Sequence, residues 1–191
     1  MKLNEQEQEI IRKVQNGDMD ALGELFEKYK NISLKTVYLI TGNLYTSEDI
    51  VQEAFIKCFY NVKSLRNIES FRSWFYKLLI RMAWEFNKKE KRAIPTEDVY
   101  EKADNKITEL TQKEENLLIH SQINQLEIKQ KTTVILYYFN DLSIKEIAKI
   151  MSCLEGTVKS RLYSARKTLK IKLKELNQEK ECDSHEACKF I

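Results

Sequence analysis

One proline and four glycines in 191 residues leave little turn chemistry for β-hairpins. Their scarcity moves the expected fold class to all-α. Histidine is almost as rare, with only His120 and His185. No glycine-rich phosphate loop, nucleophile elbow or metalloprotease motif accompanies them, so catalysis has no foothold and no enzyme is expected. Four cysteines (Cys58, Cys153, Cys182 and Cys188) are too few and too scattered for a disulfide scaffold. The opening MKLNEQEQEI has no apolar segment of the secretory kind, and no run reaches membrane-spanning length. A cytoplasmic protein without direct membrane insertion is therefore expected.

What is present fits a soluble globular chain of one or two small domains: 42% of residues are hydrophobic and 32% charged. The net charge is only +3, but its distribution is uneven. Residues 1–90 carry 14 basic and 13 acidic side chains, whereas residues 126–176 carry 11 and 5. A surplus gathered in one segment predicts a phosphate-facing surface better than a modest overall pI does.

That segment contains LSIKEIAKIMSCLEGTVKSRLYSARK, residues 142–167. Ser143 and Glu146 form an S-x-x-E capping box, and Ile147, Ala148 and Met151 make an inward stripe. After a short break a second helix opens near Gly156-Thr157. Its Val158, Leu162, Ala165 and Leu169 repeat at helical spacing, while Thr157, Lys159, Ser160, Arg161, Tyr163, Ser164, Arg166 and Lys167 form a polar, basic face. A helix-turn-helix whose second helix is apolar behind and basic in front suits a DNA major groove.

The chain divides into four parts. Residues 1–92 form a first helical module. Asp18 caps a helix whose Ala21, Leu22, Leu25, Phe26 and Tyr29 share a face. A further helix starts near Thr46-Ser47, with Val51, Ala54, Phe55 and Cys58 inward and Asp49, Gln52, Glu53 and Lys57 outward. A polar stretch at 63–69 reads as a loop, and the aromatic helix FRSWFYKLLIRMAWEF follows it. Residues 93–115, with the only proline, read as a flexible linker. Residues 116–176 form a second helical module and residues 177–191 a mobile tail. In that tail Cys182, His185 and Cys188 have ligand-like spacing, but three ligands leave an incomplete site, so no metal or cofactor is expected.

Four segments in order, GDMDALGELFEKY (17–29), SEDIVQEAFIKCF (47–59), FRSWFYKLLIRMAWEF (71–86) and LSIKEIAKIMSCLEGTVKSRLYSARKTL (142–169), resemble a bacterial RNA polymerase sigma factor of the extracytoplasmic-function (ECF) group, sigma-70 family. The resemblance covers roughly Gly17 to Leu173. It implies two small helical domains, binding to the β′ and β subunits of core polymerase and recognition of −35 and −10 promoter DNA. It also implies control by an anti-sigma factor, often membrane-anchored.

Residue by residue, the resemblance implies docking on β′ through Asp49, Gln52 and Glu53. Contacts to the opened −10 strand would fall to Lys63, Arg66, Asn67, Tyr76, Lys77, Arg81, Lys88 and Lys89, with Lys63, Arg66 and Asn67 choosing the flipped base. Contacts to the −35 element would fall to Thr157, Lys159, Ser160, Arg161, Ser164, Arg166 and Lys167. The chain departs from the family where Leu79-Ile80-Arg81 replaces an Ala-Arg-Asn run. It departs again where Ser152 and Leu154 stand in place of a turn glycine and a capping serine. A stand-alone helix-turn-helix regulator is the alternative, and a helical adaptor a further one. Neither accounts for both the acidic row near residue 50 and the aromatic–basic helix.

Overall fold

The computed structural model describes residues 3–90 and 121–187, with side chains described as far as Lys89 and, in the second segment, Lys172. The expected linker at 93–115, His120 and Cys188 lie outside the described residues, as do the side chains of Cys182 and His185. Every regular element among the described residues is helical.

In the first module α1 (Glu5–Gln15), α2 (Met19–Thr41), α3 (Leu44–Asn61) and α4 (Phe71–Glu90) pack as a bundle. Their boundaries follow local chemistry. Asn4 and Glu7 make a capping box for α1. Gly17, at φ 92°, lets the chain reverse before Asp18 caps α2. Gly42, at φ 80°, ends α2, and Asn43 caps α3, which begins two residues earlier than the Thr46-Ser47 start read from sequence. The polar stretch between α3 and α4 is two 3-10 turns, Val62–Ser64 and Ile68–Ser70. Aromatic rings fill the centre: Phe71 and Phe75 stack 5.7 Å apart, and Phe55 and Phe75 lie 4.8 Å apart. Cys58 is fully buried, and burial pushes its thiol up to about 12, so it acts as a small hydrophobe.

The second module comprises α5 (Ile128–Tyr138), α6 (Ile144–Ile150) and α7 (Glu155–Ala187). Leu126, Val134, Ile135, Leu136, Ile147, Ile150, Val158, Leu162 and Ala165 make its core. The backbone of α7 continues to Ala187 and so includes most of the segment read from sequence as a tail. The modules also touch each other, with α5 against α2 and α6 against α4.

Candidate nucleic-acid interface

Helix α3 sorts its residues cleanly. Ile50, Val51, Ala54, Phe55 and Cys58 face the core, and Asp49, Gln52 and Glu53 are exposed together on the other side. Glu53 pairs with Lys57 at 2.7 Å, an i,i+4 ion pair on the surface. The row is longer than the sequence reading had it. Tyr45, Ile56 and Tyr60 are 68%, 57% and 74% exposed, and the spacing 45, 49, 52–53, 56, 60 puts them on the same face. The acidic centre thus has apolar shoulders. The period that found Asp49 and Glu53 could have found these shoulders too.

The 3-10 turns before α4 are pinned from α1. Gln15 donates to the carbonyls of Val62 and Leu65 at 3.0 and 2.9 Å, and Gln8 donates to Glu69 at 2.7 Å. Lys63, Arg66 and Asn67 project from this anchored turn and are exposed. The Asn67 side-chain oxygen accepts from the Glu69 amide at 3.0 Å and so caps the second turn. Asn67 therefore has a structural task beside any contact with a base.

Along α4, Lys77, Arg81 and Lys88 share one edge at helical spacing. Arg81, Lys88 and Lys89 are exposed and Lys77 is half-buried. Tyr76 does not join them. It was expected at the surface as a contact to the −10 strand, but it is buried at 3% exposure, and its hydroxyl accepts from Asn140 of the second module at 3.1 Å. The reason is angular: Tyr76 sits one step around the helix from Lys77, on the side that α2 and the second module cover. Phe71 and Phe75 are core. The indole N–H of Trp84 donates to Thr132 of α5 at 2.9 Å.

The helix-turn-helix is built by its caps. The Ser143 hydroxyl accepts from the Glu146 amide, and the Glu146 carboxylate accepts from the Ser143 amide at 2.9 Å and hydroxyl at 2.6 Å. Partial burial works to raise the pKa of Glu146. The hydrogen bonds it accepts, those from Ser143 among them, outweigh burial and bring it down to about 2. At the end of α6 the Cys153 amide reaches back to the Ala148 carbonyl at 3.0 Å, which requires Ser152 to adopt φ 50°. This is a left-handed helix cap with serine in the place that glycine fills without strain. Leu154, 79% exposed, then precedes α7, which begins at Glu155, one residue earlier than expected.

The face of α7 that points away from Val158, Leu162 and Ala165 carries Lys159, Ser160, Tyr163, Ser164 and Lys167. Thr157 is half-buried beside the turn. Two arginines expected on this face are turned aside. Arg161 is half-buried, with a weak contact from its guanidinium to the Cys153 sulfur at 3.7 Å. Arg166 donates to the Tyr138 hydroxyl at 2.7 Å and lies over the rings of Tyr137 and Tyr138. Tyr163, 71% exposed, stands at the centre of this outward face, although it was absent from the site residues chosen from sequence.

A bundle with an exposed acidic row, a basic helix edge and a capped helix-turn-helix defines a class: helical DNA-binding factors of transcription. The family follows from comparison with known proteins. Residues 25–93 match the family model "Sigma-70 region 2" and residues 116–169 match "Sigma-70, region 4". The RNA polymerase sigma factor SigV of Bacillus subtilis is 39% identical over 125 residues, covering 65% of this chain and 74% of that protein. The ECF RNA polymerase sigma factor SigW of the same organism is 30% identical over 179 residues, covering 87% of this chain and 96% of that protein. The chain belongs to the ECF sigma factors of the sigma-70 family. It is a transcription initiation factor that binds core RNA polymerase, directs it to promoters and helps open the −10 element. Among solved structures, that of CnrH in complex with the cytosolic domain of CnrY shares the fold, with a TM-score of 0.70 at 15% identity over 88% of this chain and 97% of that one.

Proposed function

We propose that the two modules divide promoter recognition between them, with 1–92 acting on polymerase and the −10 strand and 116–176 on the −35 element, joined by 93–115. The observation that carries this reading is the outward face of α7, where Lys159, Ser160, Tyr163, Ser164 and Lys167 stand together behind a capped turn. Lysines there supply phosphate or base contacts, serines supply adaptable hydrogen bonds, and the tyrosine ring supplies apolar contact of the kind a thymine methyl accepts. In the first module, Asp49, Gln52 and Glu53, with Tyr45, Ile56 and Tyr60 around them, form the polymerase-docking surface. Lys63, Arg66 and Asn67 choose the −10 base, while Lys77, Arg81, Lys88 and Lys89 hold the strand's phosphates.

The chain performs no chemistry of its own and works in the cytoplasm, where polymerase and chromosome are. An anti-sigma factor would restrain it by covering the α3 face, a kind of partner that the sigma factor RpoE of Bartonella quintana has in its complex with the anti-sigma factor NepR. The test is holoenzyme binding to a set of −35 variants at two salt concentrations. Ser160→Ala and Tyr163→Ala should change the ranking of the variants. Lys170→Ala should weaken all of them alike and reduce the salt slope by about one. A ranking unchanged in both Ser160→Ala and Tyr163→Ala would refute this orientation of α7. In parallel, Asp49→Lys with Glu53→Lys should abolish capture of core polymerase without loss of helicity.

A further inference from the structure

The two 3-10 turns before α4, Val62–Ser64 and Ile68–Ser70, are too short to hold a shape of their own. Between them Leu65 and Asn67 are extended, at φ −76°, ψ 103° and φ −118°, ψ 108°, so Arg66 rides on a break outside either turn. Both ends of that break are tied to α1. At one end the Gln15 side-chain amide donates to the Val62 and Leu65 carbonyls at 3.0 and 2.9 Å, which its paired N–H groups allow together. At the other the Gln8 side-chain amide donates to the Glu69 carboxylate at 2.7 Å, and the Glu69 backbone amide donates in turn to the Asn67 side-chain oxygen at 3.0 Å. Gln8 and Gln15 are two helical turns apart, about 10 Å along one side of α1. Lys63 leans on the same element: a Cβ at Gly17, in the turn that closes α1, would lie 3.9 Å from its Nζ. Helix α1 is itself fixed, with Ile10, Ile11 and Val14 buried and Glu7 accepting from the Tyr29 hydroxyl of α2 at 3.1 Å.

We propose, on the reading that Lys63, Arg66 and Asn67 choose the −10 base, that Gln8 and Gln15 are positioning residues for that choice. They hold the three side chains in one arrangement by fixing the backbone that carries them. Discrimination between bases needs donors and acceptors set within a fraction of an ångström. Val62 is buried and Leu65 and Ile68 pack against the core, which fixes where the loop sits. Apolar contact is non-directional, however, and leaves the path between those anchors open. The directed bonds from α1 supply what it lacks. Core packing accounts for Ile10, Ile11 and Val14 on that helix but does not call for amides aimed at the loop. A loop freed from them would leave Lys77, Arg81, Lys88 and Lys89 of α4 on the strand's phosphates and blur only the choice of base.

The experiment uses holoenzyme formed from core polymerase and the full chain, on promoters that carry each base in turn at the flipped non-template −10 position. Gln15→Met is close to glutamine in shape and has no donor, Gln15→Lys keeps one, and Gln6→Met, exposed on the opposite side of α1, is the control. Gln15→Met should cut the ratio of best to worst base at least roughly fivefold, the lower end of what one base contact discriminates. Gln15→Lys should recover most of that ratio, and Gln6→Met should match wild type. Binding weakened by one factor for every base would reduce Gln15 to a structural role and overturn the proposal. In the free chain the Leu65 amide should exchange with solvent about fivefold faster in Gln15→Met, and the Glu69 amide likewise in Gln8→Met. Unchanged exchange in both overturns it as well. Arg66→Ala separates the two levels. If it flattens the ratio and Gln15→Met does not, the positioning role is refuted and the loop still chooses the base. If neither alters the ratio while exchange quickens, the loop does not choose the base and the role of α1 in that choice falls with it. Should Gln15→Met lose helicity, Gln8→Met at the other end of the break decides by the same ratio.

Discussion

Helices α4 and α7 have similar ingredients, an aromatic–basic sequence with an apolar stripe behind it, and the fold uses them in opposite ways. In α4 the aromatic rings turn inward: Phe71 and Phe75 are fully buried, and Tyr76 and Trp84 are taken up at the contact with the second module. The basic groups are left at one edge. In α7 the stripe is aliphatic, the ring of Tyr163 stands out among lysines and serines, and both arginines, Arg161 and Arg166, are folded back onto Cys153 and Tyr138. Composition does not say whether a ring is core or contact. What packs against the helix decides it, and α4 is enclosed on more sides than α7.

The largest expected effect tests that contrast directly. Phe75→Ala removes a ring with three aromatic neighbours and should cost about 3–5 kcal/mol in urea unfolding. Tyr163→Ala should leave stability within about 0.5 kcal/mol while weakening promoter binding. Equal destabilisation by the two substitutions would erase the distinction between the helices.

A smaller effect concerns how α7 is launched. Leu154 precedes the helix with no side-chain cap to offer, and Ser152 holds a left-handed backbone. Leu154→Ser should stabilise the second module by about 0.5–2 kcal/mol and Ser152→Gly by about 1 kcal/mol, read as shifts in thermal midpoint. A loss of stability in Leu154→Ser would mean that the exposed leucine has a packing role.

The smallest effect is confined to acid. Glu7 is buried, which works to raise its pKa. The Asn4 amide, the Tyr29 hydroxyl at 3.1 Å and the charges of Lys28 and Arg72 outweigh burial and lower it below 4.5. A lowered folded pKa means that its contribution to stability is present above the unfolded value and is lost as pH falls through the folded one. Glu7→Gln should therefore flatten the decline in stability below about pH 4.5, measured by urea unfolding at several pH values. An unchanged acid limb would remove Glu7 from the account of the first module.

Much was legible in the sequence because it rests on local rules. Scarce proline and glycine, helical periodicity and caps are properties of short windows. They fixed the all-α class, the Ser143–Glu146 box, the outward row on α3 and the aliphatic stripe of α7. The Ser152 and Leu154 departures were visible for the same reason, since the left-handed cap and the missing side-chain cap belong to single positions.

Tertiary structure alone decided the rest. Tyr76 and Lys77 are neighbours in sequence, and only the arrival of Asn140, 64 residues away, buries one while leaving the other at the edge. Arg166 reads as a groove contact until Tyr137 and Tyr138 are placed beside it. Lys131 carries no signal in its own segment, and only the tertiary structure brings the Ile40 carbonyl at the end of α2 within 2.9 Å of it. A periodic pattern specifies which side of a helix is apolar, but which polar groups at its border are spent on a neighbour depends on contacts between segments far apart in the chain.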